Sequence, residues 1–200
     1  MGEICGRALT VPSLELGGKN ALVILADADL DVAVDGALWG AFATSGQRCT
    51  SVGNLIVDRR VLPLIREQLV RRARALVIGD PQREDVDLGP LMHPRFLGAF
   101  LEQRGVGIED GAELLLDGRR IGASEAPPGF VGDAAQGLYV SPRIFDRVGP
   151  TMRIAQEECF GPTVNLIEVG SLDEAIAAAT ATRYALSAAI YTRDARAMLR

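Results

Sequence analysis

Short apolar runs alternate with longer amphipathic stretches along the 200 residues, and this alternation restricts the chain to few folds. Residues 21–25, 54–58 and 163–169 are short and almost continuously apolar, which is typical of strands buried on both faces. Between the first two runs, apolar residues recur at helical spacing from residue 30 to residue 41. Strands that alternate with helices form a mainly parallel sheet. The sequence therefore predicts an α/β fold, a doubly wound and mainly parallel sheet with helices on both faces.

The same pattern continues through the rest of the chain. Further strands are predicted at residues 112–116, 138–145 and 188–192. Further helices are predicted at residues 62–76, from Pro94, after the capping box at residues 171–174, and from Asp194. Residues 118–137 are rich in Gly, Ala and Pro, which indicates a surface loop. Sites in parallel sheets form at the carboxyl ends of the strands, so functional residues are expected at that edge.

Three other features have plain structural interpretations. Trp39 and Phe42 are predicted to lie in the core. His93 is predicted to lie on the surface or at the start of a helix. The segment Gly105-Val106-Gly107 follows a predicted helix rather than a strand, and Asp110 stands where a dinucleotide fingerprint needs glycine. This segment is therefore not predicted to bind a cofactor.

Composition excludes several classes of function. The net charge is −5 without a basic block, which argues against nucleic acid and anionic membranes as partners. No run of 18 apolar residues and no secretory signal pattern are present, and three widely spaced cysteines do not form a disulfide framework. A reduced, cytoplasmic setting is therefore expected. The single histidine argues against Ser-His and zinc chemistry, and no metal site is predicted.

Cys49 lies in a polar segment, 46–51, that does not resemble core. Most free cysteines are small, buried hydrophobes, and this is the interpretation for Cys5 and Cys159. Around Cys49, however, backbone amides and Arg48 can favour the thiolate, which is the nucleophilic form of the side chain. The pattern therefore predicts a nucleophilic cysteine between a helix and a strand.

Two further segments carry carboxylates. Glu15 precedes Leu16 and the pair Gly17-Gly18, and the two glycines let the backbone turn sharply and approach a ligand. On its own, Glu15 is better interpreted as a solvated residue at a strand edge. The segment Glu157-Glu158-Cys159-Phe160-Gly161-Pro162 comes about a hundred residues after Cys49 and, on its own, is a charged turn closed by Gly-Pro.

Taken together and in this order, the three motifs resemble the aldehyde dehydrogenase superfamily, from about Gly6 to the end of the chain. The resemblance implies that Cys49 attacks an aldehyde and that Glu15 acts as the general base for water. For the cofactor, NAD or NADP, it implies that Glu158 holds the nicotinamide ribose hydroxyls and that Phe160 packs near the nicotinamide ring. It also implies cofactor contacts at Leu16 and Gly17.

This chemistry explains why a thiol and a carboxylate are both needed. A thiolate adds to an aldehyde to give a thiohemiacetal, whose oxyanion needs donors such as the Cys49 backbone N–H. Loss of hydride to the cofactor leaves a thioester, and a carboxylate can activate the water that hydrolyses it. Glu15 at this place favours a free carboxylic acid as the product.

The resemblance begins partway through a typical family member. It implies that residues 1–200 form an incomplete catalytic domain, with the N-terminal coenzyme-binding domain and a C-terminal segment outside this chain. We expect little turnover from this polypeptide alone, and a homo-oligomer for the full-length enzyme. Two other interpretations stay open. One is a non-catalytic remnant that keeps the fold, and the other is a thiol esterase or hydrolase that uses only Cys49 and Glu15.

Overall fold

The computed structural model describes residues 1–124 and 126–200. Within these residues six strands form one sheet, in the spatial order β3-β4-β5-β2-β1-β6. The strands are β1 (Asn20–Ile24), β2 (Val52–Asp58), β3 (Glu113–Leu116), β4 (Arg143–Asp146), β5 (Thr163–Val169) and β6 (Ala188–Tyr191). All neighbouring pairs are parallel except β3 and β4, which are antiparallel. The predicted α/β class and mainly parallel sheet are therefore confirmed.

Helices cover both faces of this sheet, although the first of them buries no residue. They are α1 (Gly2–Arg7), α2 (Leu30–Phe42), α3 (Leu62–Arg74), α4 (Pro94–Glu109), α5 (Arg153–Gln156), α6 (Leu172–Ala179) and α7 (Ala195–Met198). Their starts follow ordinary capping chemistry, since the side chains of Asp29, Ser171 and Asp194 accept backbone N–H groups of α2, α6 and α7. No helix in the described ranges is both long enough and apolar enough to cross a bilayer.

Alternate residues of the central strands point into two separate cores. Leu22 and Leu55 pack with α2 and α3 on one face. Val23 and Ile56 pack with α5 and α6 on the other face. Side chains of a strand alternate between the faces of a sheet, so a strand covered on both sides needs apolar residues throughout. This explains why the predicted strands read as continuous apolar runs.

One predicted strand is shorter than expected. Of residues 138–145, only the end joins the sheet, as part of Arg143–Asp146. Leu138 and Val140 make isolated bridges instead, because Pro142 between them and the sheet has no N–H to donate to a ladder. The predicted loop at 118–137 is mostly irregular, with a short 3-10 turn at Ala134–Gln136, and its residue 125 lies outside the described residues.

Two other sequence expectations were wrong. The segment 105–107 lies inside α4 rather than after a helix, and a side chain at Gly107 would overlap the Phe145 ring, so this glycine lets α4 pack closely on β4. Trp39 is 66% exposed rather than core, because it lies on the outer side of α2, whereas Phe42 is buried as predicted.

His93 caps α4 by accepting the Arg95 N–H at Nδ1, which confirms its placement at a helix start.

The ladder between β1 and β2 contains one extra residue. Asn20 pairs with Val52, and Ala21 pairs with Asn54, so Gly53 has no partner on β1. A bulge of this kind bends a strand locally and re-aims the side chains beside it.

Candidate active site

All three motifs lie directly before a strand. The segment containing Glu15 leads into β1, the segment containing Cys49 leads into β2, and Glu158 leads into β5. These strands are parallel neighbours in the order β5-β2-β1, so the three segments meet at the amino edge of the sheet. The expectation of a site at the carboxyl edge was therefore wrong. That rule describes loops that follow strands, whereas the candidate nucleophile lies in a loop between a helix and a strand.

The Asn20 side chain ties the nucleophile segment to the start of β1. Its Nδ2 atom donates to the Cys49 carbonyl oxygen at 2.7 Å and to the Ser51 carbonyl oxygen at 2.8 Å. Its Oδ1 atom accepts the N–H of Ser187 at 3.1 Å, and Ser187 directly precedes β6. One amide thus fixes the peptide group of Cys49 relative to two other strands.

The glycine pair connects the same segment to Glu158. The Gly18 N–H donates to Glu158 Oε1 at 2.8 Å. A side chain at Gly17 would overlap Glu158 Oε2, and a Cβ at Gly18 would lie 2.5 Å from the Cys49 carbonyl oxygen. Only glycine allows the backbone to pass this closely between the two motifs. Glu158 Oε2 accepts no hydrogen bond from any described residue, so it is free to accept one from a ligand.

The loop before Cys49 has an unusual backbone. Thr44, Ser45 and Gly46 follow one another with φ values of 54°, 55° and 67°, in the left-handed region. This region is unfavourable for residues with a Cβ, and such strain persists only where neighbouring structure fixes it. Here the Ser45 hydroxyl donates to the Gly89 carbonyl at 2.7 Å. A Cβ at Gly46 would overlap the Gly161 carbonyl oxygen, so Gly46 lets the loop contact the third motif.

Gln47 clamps this loop to the segment 89–92. Its Nε2 atom donates to the Pro90 carbonyl at 3.2 Å and, over a longer bond of 3.3 Å, to the Thr44 carbonyl. Its Oε1 atom accepts the Met92 N–H at 2.7 Å. The side chain therefore joins the two loops that flank the strained backbone.

Arg48 anchors the residue next to Cys49 on helix α2. Its guanidinium lies 4.1 Å from the centre of the Trp39 ring and donates to the Trp39 carbonyl at 3.1 Å. Cation–π stacking of this kind fixes an arginine side chain in one place. The contacts of Arg48 therefore run to α2, and this arginine holds the loop in place.

The remaining predicted residues lie around this centre. Cys49 is half-buried, neither sealed in the core nor fully exposed. Glu15 and Leu16 are exposed, and no hydrogen bond or ion pair joins the Glu15 carboxylate to another described residue. Phe160 is half-buried and packs on Phe96 of α4 with ring centres 5.0 Å apart. The structure thus brings Gly17, Cys49 and Glu158 together. Glu15 lies two residues before Gly17 and is exposed to solvent.

The other two cysteines have different surroundings. Cys5 lies on the short helix α1. Cys159 packs beside Phe100 and Val140, and burial raises the pKa of its thiol, opposed by the charges of Lys19 and Arg143. A raised thiol pKa lowers the thiolate fraction at neutral pH, which is the opposite of what a nucleophile needs.

Sequence reasoning missed three residues of this site: Lys19, Asn20 and Gln47. Lys19 and Asn20 are 5% and 4% exposed. A weak signal was present, because Lys19 directly precedes and Asn20 begins a strand that is otherwise apolar and is buried from its first residue. Gln47 carried no comparable signal, since its partners are backbone groups some 45 residues further along the chain.

The Gln47→Leu variant is expected to lower the free energy of unfolding by about 2 kcal/mol, because it removes side-chain hydrogen bonds and leaves the Met92 N–H without its acceptor. Urea denaturation measures this change. Gln136→Leu is the matched control, since that exposed side chain bonds only to the Asp133 carboxylate. Equal effects of the two substitutions would contradict the clamp.

Comparison with known proteins identifies the family of this chain. The aldehyde dehydrogenase family model matches residues 1–200. The chain is 37% identical over 203 residues to the alpha-ketoglutaric semialdehyde dehydrogenase of Bacillus subtilis, covering 100% of this chain and 40% of that relative. It is also 37% identical over 193 residues to the NAD+ benzaldehyde dehydrogenase of Pseudomonas putida, covering 96% of this chain and 37% of that protein.

Solved structures agree with the sequence comparison. The NAD-dependent aldehyde dehydrogenase of Sinorhizobium meliloti superposes with a TM-score of 0.89 at 36% identity, over 99% of this chain and 37% of that chain. The betaine aldehyde dehydrogenase of Staphylococcus aureus, in complex with NAD+, also gives 0.89, at 28% identity over 100% of this chain and 38% of that chain. The chain spans about 40% of the length of the curated relatives it matches. It belongs to the aldehyde dehydrogenase family.

Proposed function

We propose that this chain carries the catalytic residues of an NAD(P)-dependent oxidation of an aldehyde to a carboxylic acid. The observation that carries the proposal is the segment 17–20, which bonds to Glu158 through Gly18 and to the Cys49 carbonyl through Asn20. We further propose that residues 1–200 act as the aldehyde dehydrogenase catalytic domain, and that the coenzyme-binding domain lies outside them.

Cys49 is the proposed nucleophile. Its sulfur forms a bond to the aldehyde carbon, and the carbonyl oxygen becomes the oxyanion of a thiohemiacetal. The Cys49 N–H donates no hydrogen bond within the described residues, so it is free to donate to that oxyanion. The bond from Asn20 to the Cys49 carbonyl holds this residue in one orientation during the reaction.

Glu158, Phe160, Leu16 and Gly17 are the residues proposed to hold the cofactor. The fit rests on the geometry of the glycine pair, which keeps side chains out of the space beside Glu158 and leaves Oε2 free to accept ribose hydroxyls. Phe160, fixed against Phe96, presents an aromatic ring on the same segment. When bound, the nicotinamide cofactor, NAD or NADP, supplies the acceptor for the hydride that leaves the former aldehyde carbon.

Glu15 is the proposed general base. Loss of hydride turns the thiohemiacetal into a Cys49 thioester, which needs an activated water. The exposed Glu15 carboxylate takes a proton from that water, the oxygen attacks the thioester carbon, and the Cys49 thiolate leaves. The products are a carboxylic acid and the Cys49 thiolate, with the proton of the water on Glu15.

A single-turnover assay on the full-length enzyme tests the proposal, with enzyme in excess over an aldehyde such as benzaldehyde in the presence of NAD+. NADH formation is expected to approach the amount of aldehyde, and Glu15→Gln is expected to retain this burst while an acyl group stays on Cys49, seen by mass spectrometry. Hydrolysis of p-nitrophenyl acetate without any NADH formation would instead favour the thiol hydrolase.

The setting of the enzyme is also a proposal. We propose a cytoplasmic protein that acts on a small-molecule aldehyde and has no nucleic acid or membrane partner. The free state of Cys5, Cys49 and Cys159 and the net charge of −5 support this. Self-association of the full-length enzyme is part of the same proposal.

A further inference from the structure

Lys19 occupies a place built to receive it. It lies between Gly18 and Asn20, directly before β1, and only 5% of its surface is exposed. Its side chain runs over Gly53, where a Cβ would lie 2.7 Å from Cδ and 2.9 Å from Cε. Gly53 is the extra residue in the ladder between β1 and β2, so the bulge creates room for the lysine stem. Lys19 is also the only lysine in the chain, since all other basic residues besides the single histidine are arginine.

This ammonium group has no partner in direct contact. Across residues 1–124 and 126–200, no ion pair within 4.0 Å and no side-chain hydrogen bond involves Lys19. Burial lowers its pKa to about 8, and the charges of Cys159, Glu158 and Glu157 act in the opposite direction. The nitrogen is not among the fully enclosed side-chain atoms that lack a partner, so it keeps some contact with solvent, yet a largely desolvated charge without a partner still destabilises the folded state. Its presence next to the candidate active site therefore calls for a role other than stability.

Charged groups of three segments surround Lys19: the third motif, the loop that contains Cys49, and the segment before β6. Lys19 lines a narrow crevice together with Glu158 and Cys159, which lie in the segment before β5. Arg48, in the loop before β2, lines the same crevice. The negative charges that act on it are thus on the motif that carries Glu158. Arg143 acts on Cys159 from within the core, and Arg183 lines a second cavity with Lys19 on the side of the segment before β6. Glu158 receives the Gly18 N–H, so two successive residues present an amide and an ammonium to one motif.

We propose that Lys19 is a positioning residue, whose charge holds the Glu158 carboxylate against the Gly18 N–H and keeps its second oxygen aimed at the cofactor. In a site of low dielectric, an ammonium attracts a carboxylate beyond direct contact. A lysine suits this task because its charge is compact, whereas an arginine is larger and planar. The role for the cofactor rests on the proposed function, but the coupling between Lys19 and Glu158 does not.

The Lys19→Met variant tests the proposal without substrate or cofactor. Exchange of the Gly18 amide, followed by NMR at pH 7, is expected to quicken about tenfold, because the Glu158 carboxylate is no longer held in place. The amides of β1 are expected to stay protected, and the urea midpoint is expected to rise because a buried charge has been removed. A residue with a purely structural role would lower the midpoint and expose all of these amides together.

The pH dependence has a definite sign. The pKa of Lys19 is about 8 in the folded chain, against 10.5 as its ordinary value, so folding releases a proton between these values and stability rises with pH there. Lys19→Met lacks this rise. The excess in its urea midpoint is therefore expected to be largest below pH 8 and to disappear toward pH 10.5.

A second variant measures the coupling directly. Because Lys19 is the only lysine, a single 15Nζ signal reports its titration, and Glu158→Gln is expected to lower the pKa at which that signal titrates. Glu67→Gln on α3 is the control and should leave it unchanged. Gly18 exchange unaltered in Lys19→Met, or a Lys19 titration unaltered in Glu158→Gln, would overturn the proposal. Absence of NADH formation would bear on the proposed function alone.

Discussion

The Cys49→Ala variant of the full-length enzyme is expected to form no NADH from an aldehyde and to release no nitrophenol from p-nitrophenyl acetate. The expected loss is on the order of 10⁴-fold or more, since removal of a covalent nucleophile leaves only binding and oxyanion contacts. Both rates are measured by absorbance on the same protein sample. The substitution removes one sulfur from a half-buried site, so the fold and the urea midpoint are expected to change little.

The other two cysteines provide matched controls. Cys5→Ala alters a residue on the short helix α1, away from the sheet, and should leave both rates unchanged. Cys159→Ala removes a thiol that packs beside Phe100, and its effect should appear in stability more than in rate. Alkylation followed by mass spectrometry should find Cys49 as the fastest of the three thiols. Turnover that survives in Cys49→Ala would show that the nucleophile lies elsewhere.

Gly46→Ala has the largest expected effect on the fold. The residue has a φ of 67°, and its new Cβ would overlap a backbone carbonyl oxygen of Gly161, which cannot swing aside like a side chain. The free energy of unfolding is expected to fall by about 3 kcal/mol or more, because conformational strain and a steric clash add together. Urea denaturation gives the stability, and the rate of Cys49 alkylation shows whether the loop has moved.

Gly105→Ala is the control for this substitution. Gly105 lies inside α4, has no heavy atom within 4 Å of the Cβ site, and has ordinary helical backbone angles. Alanine there is expected to raise the free energy of unfolding by up to about 1 kcal/mol, because it favours the helix. A Gly46→Ala protein as stable as the Gly105→Ala protein would show that the contact between the nucleophile loop and Gly161 is not tight.

Strands buried on both faces were the most predictable part of the fold. The expected strand at residues 163–169 is β5 without change, because most interior positions of such a strand are apolar whichever side they face. The candidate site was predictable as a set of segments, since Glu15, Cys49 and Glu158 each stand in a recognisable local pattern. Gly17 and Gly18 were predictable as points of close approach, and the structure gives them Glu158 and the Cys49 carbonyl as neighbours.

Features that depend on tertiary contacts were not predictable in this way. Trp39 is a residue type that usually lies in the core. Its ring is exposed and stacks with the Arg48 guanidinium instead, and this contact forms only because the loop turns back over α2. The edge of the sheet that carries the site follows from strand order, which local patterns do not contain. The position of Lys19 before an apolar strand is only a weak signal, because a lysine there is ordinarily solvated and its burial appears only in the structure.

The unpaired Gly53 also determines how the two candidate catalytic segments line up. Each residue of a strand advances about 3.3 Å, so one additional residue in β2 displaces everything before it by roughly that distance relative to β1. The segment that contains Cys49 and the segment that contains Glu15 are offset from each other in this way. A loop far from Gly53 can change its length without altering this offset. Removal or insertion of one residue at Gly53 would shift the segment that contains Cys49 along β1, and would change the position of the sulfur relative to the Glu15 carboxylate.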